Sequence, residues 1–272
     1  MPLDHHTFER RFRAFHPGRD AVRNETPAPD VSEDGTATVR LYDPIDSWGD
    51  WWGVSAKEFA QMLDELPDHV TTIDLHINSP GGDVFDGIAI MNALRAHSAE
   101  IVATVDGIAA SAASFVAASA DTLIMAPNSE LMIHDAWGVA VGNAADMTQM
   151  AELLDHVSDN IASVYARKAG GAIEEWRAAM QRESWFSAEE AVAAGLADSV
   201  SGDGAATKNT FDLTVFSYAG RTAAPAPVVG STEELNESDP PPGETDSSEA
   251  QSTTTRRSAA HLRARHIMKE NA

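Results

Sequence analysis

At 272 residues, 43% of them hydrophobic, the chain is long enough for one substantial domain with some chain left over. It has no cysteine, which excludes disulfides and thiolate metal sites, and its formal net charge of −23 opposes nucleic-acid binding by the body as a whole. No stretch approaches the roughly 18 apolar residues of a membrane span, and Met1 to His6 lacks the basic-then-apolar order of a signal peptide, so a soluble, cytoplasmic protein is expected.

Residues 1–35 carry Pro17, Pro27, Pro29 and scattered charge without periodicity, and read as a mobile N-terminal arm. Thr36 to Tyr42 alternates as a strand does, and Asp43 to Gly53 is a Trp- and Gly-rich loop. Ser55 with Glu58 three residues on forms a capping box for a helix carrying Phe59, Met62, Leu63 and Leu66, which Pro67 ends. A strand over Val70 to Ile77 leads to the Gly81-Gly82 turn and a helix with Val84, Ile88, Met91 and Leu94. Ile101 to Val105 is extended, Ala112 to Ala118 helical, and Thr122 to Met125 and Leu131 to Ile133 extended again. A long amphipathic helix covers Ala144 to Lys168 and stops at Gly170-Gly171. A helix over Ile173 to Met180 follows, and Ser187 caps another from Ala188 to Ala194. Strands alternating with helices predict an α/β domain over 36–220 with a largely parallel sheet, its final strand between Phe211 and Tyr218. Residues 221–255 are acidic and rich in Pro, Ser and Thr, and are expected to be a disordered linker. Residues 256–272 reverse the sign with Arg256, Arg257, Arg263, Arg265 and Lys269.

The chemistry concentrates between residues 78 and 134. Ser111 sits among small residues where a strand turns into a helix, so the amide of Ala112 can donate to an oxyanion. His134 closes an apolar strand and is the only histidine between His97 and His156, which makes it the natural general base for Ser111. Gly81-Gly82 supplies a tight turn whose amides can face a substrate. His76, within a strand, reads as structural. These are the parts an acyl-transfer site needs, and the chain is expected to be a serine peptidase.

The blocks Ile77-Asn78-Ser79-Pro80-Gly81-Gly82, Gly107-x-Ala109-Ala110-Ser111, Pro127-Asn128-Ser129, Met132-Ile133-His134 and Ser187-Ala188-x-Glu190-Ala191-Val192 to Asp198 resemble the Clp protease proteolytic subunit over residues 36–202. The resemblance implies a crotonase-like α/β spiral of βαβ units assembled into homo-oligomeric rings, with Ser111 as nucleophile, His134 as base and the amides of Gly82 and Ala112 as the oxyanion hole. It also implies that the long helix interlocks stacked rings through Met147, Met150, Leu154, Val157 and Ile161. No cofactor or metal is implied. The match fails at the third member of the triad, because ungapped alignment puts Ala179 at the acid's position. Of the nearby acids Glu174, Glu175 and Glu183, the last is the candidate, with a Ser-His dyad or a structural pair between Glu183 and Arg182 as alternatives.

The Trp48-Gly49 loop, Val54-Ser55-Ala56-Lys57-Glu58-Phe59 and Glu183-Ser184-Trp185 are similar to the head maturation (prohead) proteases of tailed bacteriophages. That likeness implies capsid and scaffold proteins as substrates, in host cytoplasm or procapsid. The alternatives are a housekeeping subunit served by a separate ATPase, since the chain has no G-x-x-x-x-G-K-[ST] motif, a Ser-Lys peptidase of the signal-peptide-peptidase type, and an inactive crotonase-fold capsid component.

Overall fold

Alternating burial along two neighbouring segments sets the centre of the sheet. Ala37, Val39 and Leu41 of β2 (Thr36–Leu41) and Ile73, Leu75 and Ile77 of β3 (Thr72–Ser79) are fully buried, so each strand covers a core with one face. The computed structural model describes residues 28–47, 53–202 and 218. Most of the expected arm (1–27), the Trp48-Gly49 loop, the expected strand from Phe211 apart from Tyr218, the linker at 221–255 and the basic segment at 256–272 lie outside the described residues. The chain divides into two units, Met1–Thr232 and Glu233–Ala272; everything described here belongs to the first.

Strand β1 (Asp30–Val31), within the span read as the arm, pairs antiparallel with β2, and β2 pairs parallel with β3. β4 (Glu100–Ala110) lies parallel to β3 and is the longest strand among the described residues, at eleven residues. Its length makes the sheet divide. The first half of β4 pairs with β5 (Thr122–Met125), which has only four residues. The second half, from Ile108 to Ala110, pairs with β6 (Glu130–Ile133). β6 in turn pairs antiparallel with β7 (Ser184–Ser187), while β8 (Ser199–Val200) pairs with β5. The outcome is a mixed α/β fold with mostly parallel strands, as expected.

The helices follow the sequence signals closely. α1 (Ala56–Asp64) begins at Ser55, whose amide donates to the Glu58 carboxylate at 2.8 Å in the expected capping box. α2 (Val84–Ala96) and α3 (Ala112–Ala118) pack against each other, with α3 wholly buried. α4 (Ala144–Ala169) is followed by α5 (Ile173–Gln181) and α6 (Ala188–Ala193), the last capped by Ser187. The apolar positions of α4 divide in two. Val157 and Ile161 are buried in the domain's own core, whereas Met147 and Leu153 near the start of the helix are 40% and 44% exposed.

On the polar face of β3, the His76 ring lies between two carboxylates. Nδ1 is 2.8 Å from Asp106 and Nε2 3.3 Å from Asp74, and Tyr42 donates its hydroxyl to the same Asp106 oxygen at 2.6 Å. The bond to Asp106 and then that to Asp74 raise the imidazole to about 9 against the opposing effect of burial. A raised folded-state value stabilises fully below the unfolded value of about 6.5, and the effect is lost as pH climbs through about 9. The melting advantage of wild type over His76→Asn should therefore shrink between pH 6.5 and 9, by about 1 kcal/mol after allowance for solvent screening. Equal pH slopes for the two proteins in calorimetry would refute this.

Candidate active site

Strand β4 ends directly at Ser111, and helix α3 begins at the next residue. Ser111 has φ 52° and ψ −122°, a region that side-chain-bearing residues rarely occupy and that costs on the order of 1–3 kcal/mol. Three bonds hold it there. The Ser111 amide donates to the Met132 carbonyl at 3.0 Å, continuing the pairing of β4 with β6. The Ser111 carbonyl accepts from the Ser114 amide at 3.0 Å and from the Ser114 hydroxyl at 2.6 Å. Because that hydroxyl spends its single proton on Ser111, the Tyr165 hydroxyl 2.7 Å away must donate to Ser114. A buried polar chain from α4 thus fixes the turn.

The same pairing of β4 with β6 brings His134, one residue beyond β6, to the serine. Its Nε2 lies 2.7 Å from Ser111 Oγ. Burial lowers the imidazole below its usual value, opposed by the charges of Glu183 and then Asp135. The ring is therefore neutral at pH 7. With the proton on Nδ1, its Nε2 lone pair faces the serine hydroxyl, as proton abstraction requires.

The two carboxylates near His134 are held differently. Arg177 of α5 is paired with Asp135 as well as with Asp155 and Asp159 of α4, the last two at 2.7 and 2.8 Å, so a partly buried cation already engages Asp135. Glu183 sits between α5 and β7 at φ 53°, and its carboxylate accepts from the Trp185 indole at 2.9 Å. Ala179 is buried within α5, and its carbonyl accepts from Ser184 Oγ at 2.8 Å, so the acid position suggested by ungapped alignment is a core position.

Opposite the serine, the glycine turn presses onto the strand end. A Cβ on Gly81 would come within 2.4 Å of the Ala110 carbonyl and 2.9 Å of Ser111 Cβ, and one on Gly82 within 1.9 Å of the Ile45 carbonyl. With φ of 82° and 148° besides, both positions require glycine. Ile45 clamps the turn from outside: its amide donates to the Gly81 carbonyl at 2.9 Å and its carbonyl accepts from Asp83 at 2.8 Å. The fold thus gathers Ser111, His134, Gly82 and Ala112 at one place, with Glu183 near enough for its charge to act on the imidazole.

Sequence reasoning missed four contributors. Ser114, Tyr165 and Ile45 act through contacts between distant segments and carry no local signal. The fourth is Tyr218, whose ring stands edge-on to His134 with centroids 5.3 Å apart and edge-on to Trp185 at 6.3 Å.

The Clp protease family model matches residues 50–203, more than half of the chain, including Ser111, His134, Glu183 and the Gly81-Gly82 turn. The chain belongs to the Clp protease family. Among its relatives, the ATP-dependent Clp protease proteolytic subunit of Leuconostoc citreum is 34% identical over 146 residues, covering 52% of this chain and 73% of the relative. Proteolytic subunit 1 of Streptomyces coelicolor is 32% identical over 168 residues, 61% and 74% of the two chains. The subunit of Pleurastrum terricola is 33% identical over 131 residues, 47% and 67%. Membership of the Clp protease family makes this chain a serine-type peptidase. No helix among the described residues is long and apolar enough to cross a membrane.

Proposed function

We propose that Ser111 is the nucleophile of a protein-cleaving endopeptidase, with His134 as its base. The observation that carries this reading is the 2.7 Å contact between His134 Nε2 and Ser111 Oγ at a serine held in a strained turn. Ser111 Oγ attacks the scissile carbonyl carbon while its proton passes to Nε2, and the amides of Gly82 and Ala112 receive the oxyanion. The imidazolium returns the proton to the departing amine, leaving an acyl-enzyme on Ser111. Water, deprotonated by His134, then hydrolyses the ester. Glu183 stabilises the imidazolium by its charge. No metal or cofactor takes part.

The substrates we infer are capsid and scaffold proteins of a tailed bacteriophage, cut within an assembling head in the host cytoplasm. Support comes from the sequence likeness around Trp48, Val54 and Glu183 and from the long acidic and then basic C-terminal region, which suits a tether to a protein shell. Assembly into homo-oligomeric rings is supported by large apolar side chains left exposed on α4 and on the segment before it, Met147 and Leu153 with Trp137 and Val141, the last two 50% and 80% exposed.

A fluorophosphonate probe followed by peptide mapping tests the central assignment. One adduct on Ser111, lost in Ser111→Ala, is expected, and capsid and scaffold proteins should be cut at discrete sites by wild type alone. An adduct at another serine, or none on assembled protein, would overturn the assignment. Labelling without any cleavage of capsid or scaffold would leave the peptidase and remove the phage substrates.

A further inference from the structure

The Ser111–His134 cleft already holds a side chain that the reaction does not use. Tyr218 lies 138 residues beyond Pro80 in sequence, yet its hydroxyl donates to the Pro80 carbonyl at 2.5 Å. That carbonyl belongs to the segment entering the Gly81-Gly82 turn. The phenol ring meets the edge of His134 and of Trp185 at 83° and 78° between planes. With Ile108 it packs on Ala110, Met132 and Trp185, a small apolar cluster separate from the main core. Ala110 precedes the proposed nucleophile and Met132 accepts its amide. The cluster is therefore an apolar wall beside Ser111, and among the described residues Tyr218 and Ile108 pack against it. Burial, with the Glu183 charge adding to it, keeps the phenol protonated and able to donate, against a hydrogen bond with Ser111 that acts the other way.

We propose that Tyr218 is a built-in cap: its phenol ring fills a subsite beside Ser111 that otherwise takes an aromatic side chain of a protein substrate. Three features fit this better than a purely structural role. The ring touches the side chain of the proposed base rather than the main core. Its hydroxyl uses a backbone acceptor next to the glycine turn. An aromatic ring with a polar tip matches the chemistry of the cluster, an apolar wall with a carbonyl at its end. A substrate must displace the phenol, so the apparent affinity falls by the fraction of molecules that are uncapped.

The assignment of Ser111 as nucleophile enters only one of the two readouts that test the cap. In the full-length chain, wild type, Tyr218→Phe and Tyr218→Ala are compared for the rate of fluorophosphonate labelling at Ser111. They are compared also for carbethoxylation of His134 by diethyl pyrocarbonate, read by peptide mass spectrometry, which reports access to the cleft whether or not Ser111 is reactive. Tyr218→Ala should raise both rates at least tenfold. Tyr218→Phe keeps the ring and loses the bond to Pro80, so its rates should rise about two- to tenfold. N-acetyl-tyrosine amide should slow both modifications of Tyr218→Ala and leave wild type unaffected. Unchanged or slower His134 modification in folded Tyr218→Ala overturns the cap. Should that variant fail to melt cooperatively, Tyr218→Phe decides by the same criterion. Absence of protection by N-acetyl-tyrosine amide overturns the aromatic subsite. Faster His134 modification with no Ser111 labelling in any variant keeps the cap and removes the nucleophile assignment.

Discussion

Ser111→Ala and His134→Ala are each expected to lower peptide hydrolysis by about 10⁴- to 10⁶-fold, and the double variant is expected to lose little more. The non-additivity follows from the geometry. Ser111 Oγ and His134 Nε2 share one proton across 2.7 Å, so removing either group disables the same step. The rate expected to remain is that of the proposed oxyanion hole, the backbone amides of Gly82 and Ala112, which neither substitution removes. Folding should survive both changes, because the three bonds that hold the Ser111 turn use its backbone and not its hydroxyl. Steady-state hydrolysis of a tyrosine-containing peptide, with melting curves for each variant, makes the comparison. Losses that multiply in the double variant, or a His134→Ala protein retaining a tenth of wild-type activity, would show that the two residues do not act as a pair.

Glu183→Gln should reduce turnover by about 10²-fold or more and also displace the pH profile. Acylation needs a neutral His134, so its rate rises with pH through the imidazole's own value. Burial places that value below 6.5, and the Glu183 charge opposes the lowering. Removing the charge therefore moves the inflection to still lower pH while the plateau falls. The two effects have one cause: a nearby carboxylate stabilises the imidazolium, both at equilibrium and in the transition state. Glutamine retains an oxygen that can accept from the Trp185 indole, so the local packing is kept. A lower plateau with an unmoved inflection would give Glu183 a structural role only. An unchanged rate would leave Ser111 and His134 working as a dyad.

Much of this molecule is legible along the chain because it depends on neighbours in sequence. The capping residues Ser55 and Ser187, the start of α3 at Ala112 and the bounds of β5 were all set by residues within four positions of one another. The Ser111 and His134 candidates were visible for a related reason, since each closes a strand and each lies in a recognisable block. β7 was not visible as a strand. Ser184, Trp185 and Phe186 are all buried, so no alternation marks them, and the strand exists because β6 offers a free edge. The long amphipathic pattern of α4 likewise did not reveal that Val157 and Ile161 serve the domain's own core while Met147 faces outward.

The sequence by itself determined most of the elements, the glycine turn and the serine–histidine candidates, because short-range propensity and capping fix local backbone and because the two residues stand in recognisable blocks. Only the tertiary structure showed how the two carboxylates whose charges reach His134 are held. Arg177 claims Asp135, Ala179 is buried within α5, and the turn into β7 brings Glu183 close enough to act on the ring. It alone also brought Tyr218 to the Pro80 carbonyl and the His134 ring, since a contact spanning 138 residues leaves no trace in local pattern. The physical reason is common to both: electrostatic and packing partners are chosen by distance in space, and the division of the sheet at β4 sets those distances.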